Sequence, residues 1–333
     1  MMSNYCFGID IGGTTVKCGL FSSDGILIEK SEIPTDKTDN GGHILDDIKD
    51  HIDNIIKQHN ISIQDITGIG MGVPGAVTED GVVNKCINLG WDVFNVEKTM
   101  SDKTGMKVKV GNDANLAALG EYWMGGAKGY SSSIMITVGT GVGGGVIIDG
   151  KPLYGCNGAA GEIGHLPIVE GETEKCNCGK TGCLEQAASA TGIVRVAKRT
   201  LESIDEPSSL RNIHNITAKD VFDEAKNGDE LALYVVDTVS KYLAKGLACA
   251  ACFIDPECFI IGGGVSKAGE FFIDRICGFS IWLIGFDIFL LYCAVNMPDP
   301  NKEEGRAMSI GSAVVCSIVI ILRIYLLCRN IDR

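Results

Sequence analysis

The sequence predicts an α/β protein built as two domains, and three observations lead there. At 333 residues with 45% apolar content, the chain is long enough for more than one hydrophobic core. Short apolar, β-branched runs that end on glycine turns are interspersed with longer segments of helical period. One pattern, a strand, a Gly/Thr tip, a second strand and a turn, occurs at residues 5–25 and again at 133–150.

Composition narrows the function. The net charge of −13 disfavours a nucleic-acid backbone as partner, and no Lys/Arg run or basic aromatic patch opposes that. Fourteen cysteines would suggest a disulfide scaffold in a short secreted chain, but Cys6, Cys18, Cys249 and Cys252 sit in apolar runs, where reduced thiols are buried. The N-terminus has neither a basic region nor a long apolar stretch, so no secretory signal is expected and a cytoplasmic location is.

In chain order, Tyr5–Ile11 reads as a buried strand that runs into Asp10-Ile11-Gly12-Gly13-Thr14-Thr15, followed by a strand over Val16–Phe21 and a turn at Ser23–Gly25. Gly-Gly and two hydroxyls at a hairpin tip suit a phosphate, although the same pattern also fits an ordinary glycine hairpin. Ile44–Gln58 carries Ile44, Leu45, Ile48, Ile52, Ile55 and Ile56 at helical spacing. Gly68–Val73 is a strand ending at Pro74-Gly75, a turn from which backbone groups reach a ligand. Val108–Val110 delivers Gly111-Asn112-Asp113-Ala114-Asn115 to a helix over Leu116–Trp123. Asp113 fits a helix cap, but Asn112 or Asn115 can supply the cap instead and free Asp113 for chemistry.

Ser133–Val138 is the next strand, with a glycine tip over Gly139–Gly145 and a partner strand over Val146–Asp149. A helical half follows over Ala187–Glu202, Ala218–Asn227 and Glu230–Phe253. Phe259–Ile261 is a strand ending on Gly262, Gly263 and Gly264, a third glycine turn at a strand's C-terminal end, where open α/β sheets bind ligands.

Between the second hairpin and the helices lies the densest cluster of chemistry. His165, Cys176, Cys178 and Cys183 offer one imidazole and three thiolates, a closed tetrahedral set for a structural zinc. Free cysteines on a loop are the bland alternative, which three cysteines within eight residues and the turns at Gly179 and Gly182 disfavour. Glu162 and Glu185 bracket the ligands and are free to face a polyhydroxylated molecule. The ligand loop has few other staples by this reading, so metal removal should lower stability and the binding of that molecule together.

These residues, D-I-G-G-T-T-V-K, G-N-D-A-N, G-T-G-V-G-G-G, G-E-I-G-H and C-N-C-G-K-T-G-C-L-E, resemble the ROK family (repressors, open reading frames, kinases), and within it the bacterial glucokinases. The resemblance covers residues 4 to about 276 in order. It implies an actin-like ATPase (ribonuclease H-like) fold, with a small α/β domain over 1–118, a larger one with the zinc motif over 119–276, and ATP and sugar in the cleft between them. It implies phosphorylation of glucose at its 6-hydroxyl, the first step of glucose use in glycolysis, with ATP, Mg²⁺ and structural Zn²⁺.

Position by position, Asp113 is similar to the family's catalytic base, and Asn112, Glu162, His165 and Glu185 to its sugar ligands, with His165 also on zinc. Gly12, Gly13, Thr14 and Thr15 resemble the first phosphate hairpin, Thr137, Gly139, Thr140 and Gly141 the second, and Gly262, Gly263 and Gly264 the adenosine turn. Asp10 is similar to the residue that faces magnesium through water. Fructose, mannose or N-acetylmannosamine kinases are alternatives within the class, and a non-catalytic sugar-sensing repressor is one outside it. A homodimer or larger homo-oligomer is the expected assembly.

The pattern breaks down near the C-terminus. From Cys277 the composition departs from the family: Phe279–Met297 is apolar apart from isolated residues such as Asp287, and Ala307–Leu322 has no charge. The tail over 277–333 is open to three readings: a membrane hairpin, whose first span Asp287 makes poor and which an abrupt loss of the domain's last elements disfavours, a divergent closing unit, or the product of an altered reading frame. Loss of the closing elements would leave the adenosine side incompletely walled and put activity in doubt.

Overall fold

The structure, a computed structural model, describes residues 5–284 and 291–293. These residues form two compact units, one of 5–124 with 151–160, the other of 125–150 with 161–284 and 291–293.

The first unit opens with β1 (Tyr5–Ile11), β2 (Thr15–Ser22) and β3 (Leu27–Pro34), an antiparallel meander. Helix α1 (Ile44–Gln58) buries all six apolar residues that set its period. β4 (Ile66–Val73) returns parallel to β1; β5 (Val82–Val83) and β6 (Phe94–Asn95) form a small ribbon. Helix α2 (Val96–Thr104), capped by the Asn95 side chain, leads to β7 (Val108–Asn112) and α3 (Asp113–Met124). The main sheet runs β3-β2-β1-β4-β7, and Phe7, Ile9, Ile11, Ile69 and Met71 pack with α1 in its core. β3 and α2 escape the sequence because neither has a clear apolar period: β3 is a half-exposed edge strand carrying Glu29, Lys30 and Glu32, and α2 buries only Val96 and Met100.

In the second unit, β8 (Ser133–Val138) and β9 (Val142–Ile148) pair antiparallel. The chain turns at Asp149-Gly150, and β10 (Lys151–Pro152) opens the 151–160 segment of the first unit. Helices α4 (Glu185–Ala188), α5 (Ala190–Ser203), α6 (Ala218–Lys226) and α7 (Glu230–Ile254) precede β11 (Cys258–Gly262), α8 (Glu270–Ile284) and β12 (Leu291–Cys293). Strands β9, β8, β11 and β12 lie in that order, with β8, β11 and β12 parallel. Ile134, Ile136, Leu184, Val235, Val239, Phe259 and Phe272 share its core.

Three boundaries differ from the sequence reading. β9 starts at Val142, so Gly143–Gly145 are paired strand residues and the tip is confined to 139–141. The glycine run serves close approach there, because a Cβ on Gly144 would collide with the carbonyl of Gly161. Helix α3 begins at Asp113, three residues early, because Asn112 caps it. The helix read over Ala187–Glu202 breaks at Ser189, whose extended backbone (φ −71°, ψ 165°) and side-chain cap on the Gly192 N–H start α5 afresh. α8 starts at Glu270, after a single 3₁₀ turn over Val265–Ala268.

The three readings of the tail depend on residues 285–290 and 294–333, which lie outside the described residues. Among those described, no helix is long and apolar enough to cross a membrane.

Candidate active site

In the first unit, β1 and β2 pair from Tyr5↔Ser22 to Ile11↔Val16, which leaves Gly12, Gly13 and Thr14 as the tip and Thr15 at the head of β2. The Gly12 N–H donates to the Thr15 carbonyl at 2.9 Å and closes the turn. Asp10 lies in register opposite Lys17, and the Lys17 Nζ sits 3.3 Å from Asp10 Oδ2. A carboxylate at the mouth of a glycine tip suits a magnesium ion, which takes few protein ligands beside substrate phosphates and keeps several waters.

Strand β7 brings the Asn112–Asp113 pair to the C-terminal edge of the same sheet, alongside the end of β4. Asn112 is buried, and its Oδ1 accepts from the N–H groups of Ala114 (2.9 Å) and Asn115 (3.1 Å). Its Nδ2 donates to the Gly75 carbonyl at 2.9 Å, which fastens the Pro74-Gly75 turn to the head of α3. Asn112 therefore does the capping, and Asp113 stands exposed on the first turn of the helix, with Oδ1 accepting from the Ala114 N–H at 2.8 Å. The first-turn position is also electrostatically favourable for a carboxylate. Behind the turn the Cys86 thiol donates to the Pro74 carbonyl at 2.5 Å; burial raises its pKa and the charge of Asp113 adds to the shift.

The second unit gathers the other set. Thr137 is opposite Gly143 on one side and Gly262 on the other, so the second hairpin and the third glycine turn are neighbours in one sheet. Gly263 has φ +90°, and a Cβ there would strike the Val138 carbonyl, so only glycine fits this turn. Glu185 opens α4 and points at the second tip: a Cβ on Gly141 would lie 3.0 Å from Glu185 Oε2. Its other oxygen, Oε1, accepts from the Cys176 thiol at 2.8 Å and is 3.6 Å from His165 Nδ1. On the far side of the imidazole, Glu162 Oε2 is 3.9 Å from His165 Nε2. One histidine thus links both carboxylates to the cysteine cluster.

The Cys₃His donors lie within 4.8 Å of one another. Cys178 Sγ and Cys183 Sγ are 3.4 Å apart, and Cys176 Sγ is 3.7 Å from His165 Nδ1. Ligands about 2.3 Å from a tetrahedral zinc are separated by roughly 3.8 Å, so these residues fit the ion. Burial raises the Cys176 and Cys183 thiols above their ordinary value. Burial acts the same way on Cys178, but the Lys180 N–H and the neighbouring thiols outweigh it and hold that group low.

The loop is better stapled than its sequence suggests. Arg199 Nη1 and Nη2 grip Glu172 at 2.8 and 3.1 Å, and Nη2 also reaches Glu174 Oε1 at 2.8 Å. Gln186 Nε2 donates to the Glu174 carbonyl at 2.9 Å while its Oε1 accepts from the Cys183 N–H at 3.0 Å. The premise that the loop has few other staples is therefore corrected: Gln186 of α4 and Arg199 of α5 clamp it, the latter from 25 to 27 residues away and silent in any local pattern.

Asp10, Gly12–Thr15, Asn112 and Asp113 thus belong to the first unit. Thr137, Gly139–Gly141, Glu162, His165, Glu185, the three cysteines and Gly262–Gly264 belong to the second. Sequence reasoning missed Thr35, Gln186, Ser189, Thr191 and Arg199, which touch the site's backbone or its supports; the only local signal was the Ser189-x-x-Gly192 spacing of a helix cap.

The model of the ROK family matches residues 6–278. A glucokinase of Halalkalibacterium halodurans is 43% identical over 274 residues, covering 81% of this chain and 83% of the relative. A ROK family glucokinase from Streptomyces griseus, solved in complex with glucose and AMPPNP, is 32% identical with a TM-score of 0.67, covering 84% of this chain and 89% of its own. The ROK hexokinase of Thermus thermophilus aligns with a TM-score of 0.77 at 28% identity, over 98% of this chain and 99% of its own.

Proposed function

This chain belongs to the ROK family, and on that premise we propose that it transfers the γ-phosphoryl group of ATP to the 6-hydroxyl of glucose. It is an ATP-dependent hexose kinase; glucose as the preferred sugar and the residue roles are the content of the proposal. The observation that carries it is Glu185, which faces the second glycine tip through Oε2 and the His165 imidazole through Oε1, so a hydroxyl-binding group and a phosphate-binding loop share one side chain's reach. The actin-like ATPase assignment is supported by the two sheets, each an antiparallel glycine hairpin continued by parallel strands.

Phosphoryl transfer passes through a loose transition state, so catalysis is mostly positioning and charge stabilisation. Glu162, His165 and Glu185 accept or donate to sugar hydroxyls and orient the ring. Asp113, exposed on the first turn of α3, accepts a hydrogen bond from the 6-hydroxyl, orients that oxygen's lone pair toward phosphorus and takes the proton late. Backbone N–H groups of the two tips hold the phosphate oxygens. Asp10, at the mouth of the first tip, would hold a magnesium ion, which would supply neutralisation of the phosphate charge. His165, Cys176, Cys178 and Cys183 would hold a zinc ion with all four of their donors, and the ion would supply fixed geometry rather than chemistry.

A coupled ADP-release assay across glucose, fructose, mannose and N-acetylmannosamine tests the proposal. Glucose should give the highest kcat/KM. Faster turnover of another hexose refutes the substrate, and the absence of sugar-dependent ADP release refutes the proposal as a whole.

A further inference from the structure

Both glycine tips are held from outside by the same device. In the first unit, the Thr35 N–H donates to the Thr14 carbonyl at 3.0 Å and Thr35 Oγ1 donates to the Gly12 carbonyl at 2.7 Å. In the second, the Ala190 N–H donates to the Gly139 carbonyl at 2.8 Å and Thr191 Oγ1 donates to the Thr140 carbonyl at 3.0 Å. Each tip therefore has two carbonyls gripped by one backbone N–H and one threonine hydroxyl from a segment beyond the hairpin.

A trans peptide is planar, and its N–H points opposite to its C=O. Gripping the Gly12 carbonyl therefore fixes the direction of the Gly13 N–H, and gripping the Thr14 carbonyl fixes that of Thr15. In the second tip, the Gly139 and Thr140 carbonyls fix the N–H groups of Thr140 and Gly141 in the same way. Glycine peptides reorient easily, since glycine populates both signs of φ. A reoriented peptide would turn an oxygen toward a phosphate where a donor is needed.

We propose that Thr35 and Thr191 are positioning residues that lock the two glycine tips with their N–H groups toward the nucleotide's phosphates. The proposal rests on the kinase reading above. It also gives the break between α4 and α5 a purpose. Ser189 leaves helical geometry, donates to the Glu185 carbonyl at 2.6 Å and lies 3.0 Å from Thr191 Oγ1, and so aims residues 190 and 191 at the tip. An unbroken helix would carry them past it.

The test uses the full chain with Thr35→Val and Thr191→Val, which keep the shape and remove the hydroxyl, and with Thr35→Ser and Thr191→Ser, which restore it. AMPPNP and glucose affinities are measured by calorimetry, with zinc content and melting temperature as controls. Each valine variant should weaken AMPPNP roughly 2- to 12-fold, the effect of one neutral hydrogen bond, with glucose affinity and zinc content unchanged and serine restoring the wild-type value. A merely structural role would lower AMPPNP and glucose affinity together, and that result overturns the proposal. So does unchanged AMPPNP binding in the valine variants while the wild type binds it. Failure of the wild type to bind AMPPNP overturns the kinase reading itself, and this proposal with it. Thr35 is buried and Thr191 exposed, so if Thr35→Val does not fold, Thr191→Val decides.

Discussion

Replacing Arg199 with Met isolates what holds the cysteine loop apart from its metal. The guanidinium's hydrogen bonds hold the Glu172 carboxyl down from its ordinary 4.5 to about 2; burial opposes that shift and the Glu174 N–H assists it. At 1.36 kcal/mol per unit, a shift of that size corresponds to about 3.4 kcal/mol as a ceiling. The Arg199 side chain is 45% exposed, so solvent screening reduces the expected loss to about 1–2 kcal/mol. The Glu172 side chain is only 1% exposed, so the variant also strands a carboxylate, and adding Glu172→Gln should recover part of the loss. Because the folded pKa is depressed, the contribution is complete above about pH 5 and is lost as pH falls from 4.5 toward 2. Urea unfolding of wild type, Arg199→Met and the double variant, at pH 7 and again at about pH 3.5, measures all of this. Equal stability of wild type and Arg199→Met at pH 7, or a gap that widens in acid, would refute the reasoning.

Four further outcomes follow from the geometry. Asp113→Ala should lower kcat by about 10²- to 10⁴-fold with glucose affinity within tenfold of wild type; near-normal turnover of the purified variant would sink the assignment. Zinc removal, verified by elemental analysis, should weaken glucose binding, and Arg199→Met should cost more stability in the zinc-free protein than in the loaded one; full glucose affinity without zinc would contradict this. Gly141→Ala places a methyl 3.0 Å from Glu185 Oε2 and should raise the KM values for glucose and ATP together, whereas an effect on one alone would separate the two sites. Gly263→Ala forces a side chain into φ +90° against the Val138 carbonyl and should destabilise by about 1–3 kcal/mol, read as a lowered melting temperature; an unchanged one would mean the turn is not constrained.

Wherever chemistry is local, the sequence alone determined it. Helix α1 follows from six apolar residues at one period, β1 and β2 from an apolar run split by a glycine tip, and the Cys₃His set from spacing, because each signal is complete within a few residues. Asn112 and Asp113 were legible as a pair, but which of them caps the helix was decided by the backbone, where Asn112 reaches two N–H groups and Gly75 together. Gly143–Gly145 read as loop, because glycine marks both a flexible tip and a strand approached closely by another chain segment, and only the carbonyl of Gly161 distinguishes the two. The Arg199 clamp and the threonine braces on the tips were invisible, since hydrogen bonds between residues 23 to 51 positions apart leave no periodicity. The residue types that do chemistry are short-range facts of the chain. The direction in which their donors point is set by the residues that folding brings behind them.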